Sequence, residues 1–223
     1  MNSPSISIVI PVLDEEDHIG SLIKRLPDDL EIIVVDGGSK DSTVELVSSL
    51  GCKVISSSKG RALQMNAGAR QTTGDILIFL HADCLLPRDF VHELSLFSFS
   101  DRVWGRFDVR IDSHQVMFRV IEKMENLRSQ LTGTCTGDQA IFVKRAAFGE
   151  MGGLPEIALM EDIEASKLLK KMTSPYVIHS MVHTSARRWL KGGILRTILM
   201  MWRFRMAYFF GASPVTLARQ YYG

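Results

Sequence analysis

From Ala165 to the C-terminus the chain has no Asp or Glu, yet ten of its 26 Lys and Arg fall there, and all 25 acids precede it. A formal net charge of +1 therefore hides an acidic body and a basic tail. Such a tail calls for an anionic partner, either phosphate groups or an anionic membrane surface. Nucleic acid is not among the expected partners. Cysteine is scarce: Cys52, Cys84 and Cys135 form no CxxC pair, which argues against a disulfide framework or a zinc site and fits reduced thiols in a cytosolic compartment. Long apolar runs are missing too. The longest in the aromatic-rich tail, Ile198–Trp202, falls far short of the ~20 residues that span a bilayer. The start, MNSPSISIVIPVL, lacks a basic segment ahead of an apolar stretch that is itself too short for a secretory leader, so it reads as a first strand. There is no internal repeat, no low-complexity tract and no linker rich in Pro, Gly or Ser. The 223 residues, 46% hydrophobic and 23% charged, are expected to form a single domain with one substantial core.

What is present is an alternation of strands and helices. Apolar runs at Ser7–Leu13, Glu31–Val35 and Asp75–Leu80 are continuous rather than alternating, as expected for parallel strands buried on both faces. Helical spacing fills the intervals at Glu15–Leu26, from Asp41-Ser42-Thr43 to Leu50, and at Gly60–Gln71, with a short strand at Lys53–Ser56. The predicted class is α/β, a mixed, mostly parallel sheet with helices on both faces. Further on, Val103–Asp112 alternates strictly and is expected as a half-exposed antiparallel strand at a sheet edge. Helices at Val116–Leu131, Glu161–Met172 and Ile194–Phe210 and a strand at Gln139–Val143 complete the reading.

Two of the buried strands deliver a carboxylate at the carboxyl edge of the sheet, where open α/β sheets place their ligands. These are Asp36, in IIVVDGGSKDST, and Asp83, in ILIFLHAD. Two acids on one edge, beside a basic Gly-flanked helix beginning KGR, point to a metal-bound phosphorylated ligand.

The ordered set SIVIPVLDEE, VVDGGSKDST, KGRALQMNAGARQTTGD, FLHAD, GDQAIFVKR, MEDIE and TSARRW resembles the inverting nucleotide-sugar glycosyltransferases of family 2, which have the Rossmann-like GT-A fold. The likeness runs from Ile6 to Trp189 and is greatest to small soluble members with HAD and SARRW motifs. It implies a nucleotide-binding half over about residues 1–100, an acceptor half over about 101–190 and a C-terminal amphipathic helix over about 191–212.

The resemblance also implies roles. Pro11, Leu13 and Glu15 would border the base and ribose of the donor, and Asp36, followed by Gly38, would recognise them. Arg61 and Asn66 would line the diphosphate side, with Ala82 beside them. Asp83 would hold Mn²⁺ or Mg²⁺. His81 stands where the family carries another aspartate, so it would contact the ribose or the metal shell, or be a packed core histidine. Asp162 corresponds to the catalytic base and Glu161 to its partner. Arg187 and Arg188 would add charge at the diphosphate and Trp189 an acceptor platform. Ser185 replaces the Gln of processive members, which argues against polymer synthesis. The acceptor is left open among lipid, glycan and small molecule, and the tail helix between a cytoplasmic membrane surface and a core or dimer contact. Two rivals remain: a sugar-phosphate nucleotidyltransferase, although PVLDEE replaces its Gly-rich loop, and a non-catalytic membrane-associated nucleotide-sugar-binding module.

Overall fold

The computed structural model describes residues 4–222, with side chains for 4–221. Eight strands form one sheet in the order β3-β2-β1-β4-β7-β6-β8-β5. The first four are β1 (Ile6–Val12), β2 (Glu31–Asp36), β3 (Lys53–Ser56) and β4 (Ile76–Phe79), all parallel to one another. β7 (Phe142–Lys144) runs antiparallel between β4 and β6 (Trp104–Asp112). β8 (Tyr176–Ser185) is parallel to β6, and the two-residue β5 (Cys84–Leu85) closes the far edge.

Alternate residues of the central strands feed two separate cores. Ile8, Ile10, Val12 and Ile78 face one core with α1 (Glu16–Ile23), α2 (Thr43–Ser49) and α4 (Phe90–Ser98). Val9, Ile33, Val35, Leu77 and Phe79 face the other with α3 (Arg61–Ala69), α6 (Arg145–Glu150) and α7 (Glu161–Lys170). Burial of both faces explains the unbroken apolar runs. α3 lies so close to the sheet that a Cβ on Gly68 would come within 2.4 Å of Val9 Cγ1 and 2.8 Å of Val35 Cγ2. This contact fixes the height of Arg61 above the carboxyl edge.

Pro11 lies inside β1, which continues to Val12. The carbonyl of Val9 accepts from Leu80 N, so Pro11, two residues on, points to the same flank, and β4 has already ended there at Phe79. The missing N–H interrupts no ladder. β6 is internal rather than an edge strand, antiparallel to β7 but parallel to β8. Its alternation misled because other elements cover the first part of the polar face: Arg106 is fully buried and donates to Asn126 O of α5 (Val116–Thr132), and Trp104 is fully buried against α7 and donates to Thr173 O. Asn126 of α5 bonds both Val109 N and Val109 O, and Glu122 accepts from Ile111 N, so side chains complete the backbone pairing of β6. Finally, β8 and α4 were not foreseen. Nor was α10 (Pro214–Tyr222), which packs under α9 (Ile194–Phe209) through Leu217 and Ala218.

Candidate active site

The carboxyl ends of β1, β2, β4, β6 and β8 emerge along the same edge, and the candidate residues gather there. Two turns form one wall. Asp14, with φ 54°, donates from its N–H to Ser39 Oγ, and its carboxylate accepts from Lys40 N at 2.7 Å. Glu16 accepts from Ser42 N, and Asp41 accepts from Thr43 N and Glu16 N. Asp41 thereby caps the start of α2 through Thr43 N, while Glu16 reaches across from α1 to the Ser42 N–H. Asp36, buried at the end of β2, accepts from the N–H groups of Gly38 and Ser39 at 2.9 and 3.0 Å. Pro11 and Leu13 flank this wall, both half-buried.

On the opposite side the chain returns through α8 (Arg187–Gly192). Arg187 Nη2 donates to both oxygens of Glu15 at 2.6 and 2.7 Å and lies 3.6 Å from Asp83. The guanidinium thus bridges β1 to the strand end that carries His81-Ala82-Asp83. Arg188 stacks over Tyr221 of α10 and hydrogen-bonds its hydroxyl. Trp189 packs edge-to-face on Phe118 of α5, with ring centroids 6.3 Å apart, so much of its ring holds α8 in place.

The donor atoms of His81, Asp83 and Cys84 lie within 4.8 Å of one another. Burial, then the Asp83 charge, push the Cys84 thiol well up, which favours its protonated form. Burial, then the Arg61 charge, pull His81 down to about 4, which leaves its imidazole neutral and able to coordinate. A carboxylate and a neutral imidazole, with further positions open to diphosphate oxygens, fit Mn²⁺ or Mg²⁺. His179 and His183 lie outside this cluster, and His179 instead pairs with Asp108.

The third wall is the start of α7. Met160 precedes it with φ 71°, a strained conformation for a non-glycine residue. Glu161 is buried and lies 3.9 Å from Arg61. Burial, then the Asp162 charge, raise Glu161 to about 7, and burial also raises Asp162. Asp162 accepts from Gly137 N at 3.1 Å and from its own helix at Ile163 N.

Sequence reading passed over Gly137 and Gln64. A Cβ on Gly137 would come within 2.5 Å of the His81 ring, so only glycine lets this backbone sit between His81 and Asp162. Gln64 is buried and donates to the carbonyls of Val12 and Val35, tying together the strand ends that carry Leu13 and Asp36. Its signal was legible: a polar residue on the otherwise apolar face of α3. Asn66, one turn of the same helix from Ala62, uses its amide on Leu154 N, Leu154 O and Glu156 and holds loop 153–156. Any part it plays at a donor pocket acts through that loop.

The family profile "Glycosyl transferase family 2" matches residues 7–148, more than half of the chain. The chain belongs to glycosyl transferase family 2. Among family relatives, a glucosyl-3-phosphoglycerate synthase of Mycolicibacterium paratuberculosis is 38% identical over 99 residues, 37% of this chain and 30% of the relative. An undecaprenyl-phosphate 4-deoxy-4-formamido-L-arabinose transferase of Pseudomonas fluorescens is 33% identical over 104 residues, 40% of this chain and 31% of the relative. The alignments thus span about a third of the length of these curated relatives. Among solved structures, a Pyrobaculum calidifontis mannosyltransferase in complex with GDP-Man and Mn²⁺ superposes with TM-score 0.66 at 20% identity, covering 93% of this chain and 62% of that one. This likeness supports the GT-A fold expected for family 2.

Proposed function

We propose that this family 2 chain transfers a sugar, with inversion, from a nucleotide diphosphate sugar to an acceptor hydroxyl. The observation that carries the reading is the meeting, on one sheet edge, of Asp36, the His81/Asp83 donor pair and the raised acids Glu161 and Asp162. Asp36, with Pro11, Leu13, Glu15 and Gly38 around it, takes the nucleoside. Arg61, Arg187 and Arg188 bring positive charge to the diphosphate. Asp83 and His81 would hold Mn²⁺ or Mg²⁺, which when bound neutralises charge on the departing diphosphate. Asp162 takes the proton as the acceptor oxygen bonds to the anomeric carbon, and the electron pair of the broken C–O bond leaves with the diphosphate. Its raised basicity suits that role. Glu161, protonated over part of the neutral range, avoids setting a second negative charge beside it.

The test is a thermal-shift and turnover screen of nucleotide diphosphates and their sugars with and without Mn²⁺. A ligand at a hundred times its Kd raises stability by about 2.7 kcal/mol. One diphosphate is expected to stabilise the protein more when Mn²⁺ is present, and its sugar ester to be turned over. If no nucleotide shifts the melting temperature, the donor reading fails. Binding without turnover would leave the binding-module alternative.

A lipid-linked acceptor at an anionic membrane surface is the finer part of this proposal. Among the described residues no helix is long and apolar enough to cross a membrane. α9 nevertheless exposes Leu195, Leu199, Trp202, Met206 and Phe209 at helical spacing, and α5 exposes a parallel stripe through Val116, Val120, Met124, Leu127 and Leu131. The two helices meet through Phe118, Ile194 and Ile198. Apolar stripes with clustered basic residues suit an anionic leaflet. Removing the tail would be a poor test, because Phe204 of α9 is buried with Leu159 and Met160, next to Glu161. The double variant Leu199→Ser/Trp202→Ser keeps that contact. It should lose most co-sedimentation with anionic vesicles while keeping its melting temperature. Unchanged vesicle binding would remove the membrane surface from the proposal.

A further inference from the structure

Beside Asp162 lies a second charged cluster, formed by Glu125 and Arg128 of α5, that the proposed donor site does not use. The segment from Thr134 to Gly137 links it to the base. Arg128 Nη1 of α5 donates to Thr134 O at 3.3 Å, Thr136 Oγ1 donates to Glu125 at 2.9 Å, and Gly137 N donates to Asp162. Arg128 Nε and Nη2 are shielded from solvent and have no hydrogen-bond partner among the described residues. Those two nitrogens form one edge of the guanidinium, the fork that grips a phosphate or carboxylate through two parallel bonds. Glu125 does not satisfy it: the nearest oxygen is 3.7 Å from Nη2, too far for a hydrogen bond. Burial, then the Asp138 charge, push Glu125 up to about 7, which weakens its hold on Arg128.

A second cation comes from α9. Arg205 follows Phe204, which is buried against Met160 at the start of α7, and its charge acts on Arg128, Glu125 and Asp162. Burial, then Arg205, lower the Arg128 pKa, against the opposing pull of Glu125, Asp138 and Asp162. Buried donors and neighbouring cations are costly unless an anion joins them.

We propose that Arg128 and Arg205 form the anion subsite for the acceptor, binding a phosphate group on it and so setting the acceptor hydroxyl against Asp162. The inference rests on the transferase reading above and deepens it by naming the acceptor class, a phosphorylated hydroxy compound. The phosphate can belong to a water-soluble molecule or to a lipid headgroup. Charge and fork geometry are the same for both.

The test uses the full chain with the donor site filled by Mn²⁺ and the stabilising nucleotide diphosphate, so that added phosphate cannot report on that site. Calorimetry would follow inorganic phosphate and glycerol 3-phosphate, with glycerol as the uncharged control. Vesicles of phosphatidylglycerol would be compared with phosphatidylcholine. Arg128→Gln and Arg205→Gln should each weaken glycerol 3-phosphate binding at least tenfold while nucleotide affinity stays within twofold. Should Arg128→Gln fail to fold, Arg205→Gln, from the outer helix, carries the test alone. If only phosphatidylglycerol binds, and Arg205→Gln loses more of it than the charge-matched control Arg196→Gln, the phosphate belongs to a lipid. Equal binding by wild type and variants, or no binding to either source, overturns the anion subsite. If no nucleotide binds at all, the donor reading fails separately, and the same comparison made without nucleotide still decides the arginine pair.

Discussion

Asp162→Asn is expected to reduce sugar transfer by about 10²–10⁴-fold, the usual cost of losing a general base. Nucleotide affinity should barely change, because Asp162 contacts Gly137 N and the start of α7 rather than the wall formed by Asp36 and Glu15. The substitution keeps the shape and one acceptor oxygen for Gly137, so a stable fold is expected with it. The pH dependence has a defined sign. Burial raises Asp162, so its active, ionised form is lost as pH falls, at a pH above the ordinary carboxylate range. The acid limb of the wild-type profile should therefore lie above that range and disappear in the residual activity of the variant. Parental transfer by Asp162→Asn would assign the base to another residue, Glu161 first. Loss of nucleotide binding would place Asp162 with the donor instead.

Asp83→Ala should have a comparable effect through a different step. A divalent ion at a departing diphosphate contributes several kcal/mol, so its loss should lower transfer about a thousandfold. The readout that separates this from general damage is Mn²⁺ binding by electron paramagnetic resonance, which should weaken in Asp83→Ala while the melting temperature holds. His81→Ala should weaken it less, since an imidazole supplies one of several positions and His81 is also packed against Gly137. Full activity of the wild type in excess chelator would overturn the metal assignment. Removing Asp83 also frees Arg187 from one of its two carboxylates, which leaves the Glu15 pair intact.

Much of this site was legible because the residues that carry it are short-range features. A carboxylate just after an apolar strand, as at Asp36 and Asp83, can be placed from the strand alone, since parallel strands end on one edge. Asp41 at the start of α2 follows from capping chemistry within a few residues, whereas Glu16 reaches Ser42 N from 26 positions away. The misread elements depended on what lay on top of them. β6 alternates like an edge strand, but Trp104 is buried against α7 and Arg106 under α5, whose Asn126 and Glu122 take the place of a neighbouring strand. β8 escaped notice because its polar residues, His179 and Ser180, find partners in Asp108 and Asp89 far along the chain.

The sequence by itself determined the family, the α/β class, the acids at the strand ends and the basic, acid-free tail, because periodicity, strand-end chemistry and charge count depend on residues close in the chain. Only the tertiary structure decided that Arg187 spans Glu15 and Asp83, that Gly137 separates His81 from Asp162, and that segment 134–137 ties Arg128 of α5 to Asp162. These contacts join residues up to 172 positions apart in the chain. Their distances, and the burial that shifts the acids, exist only once the two cores have closed around the sheet.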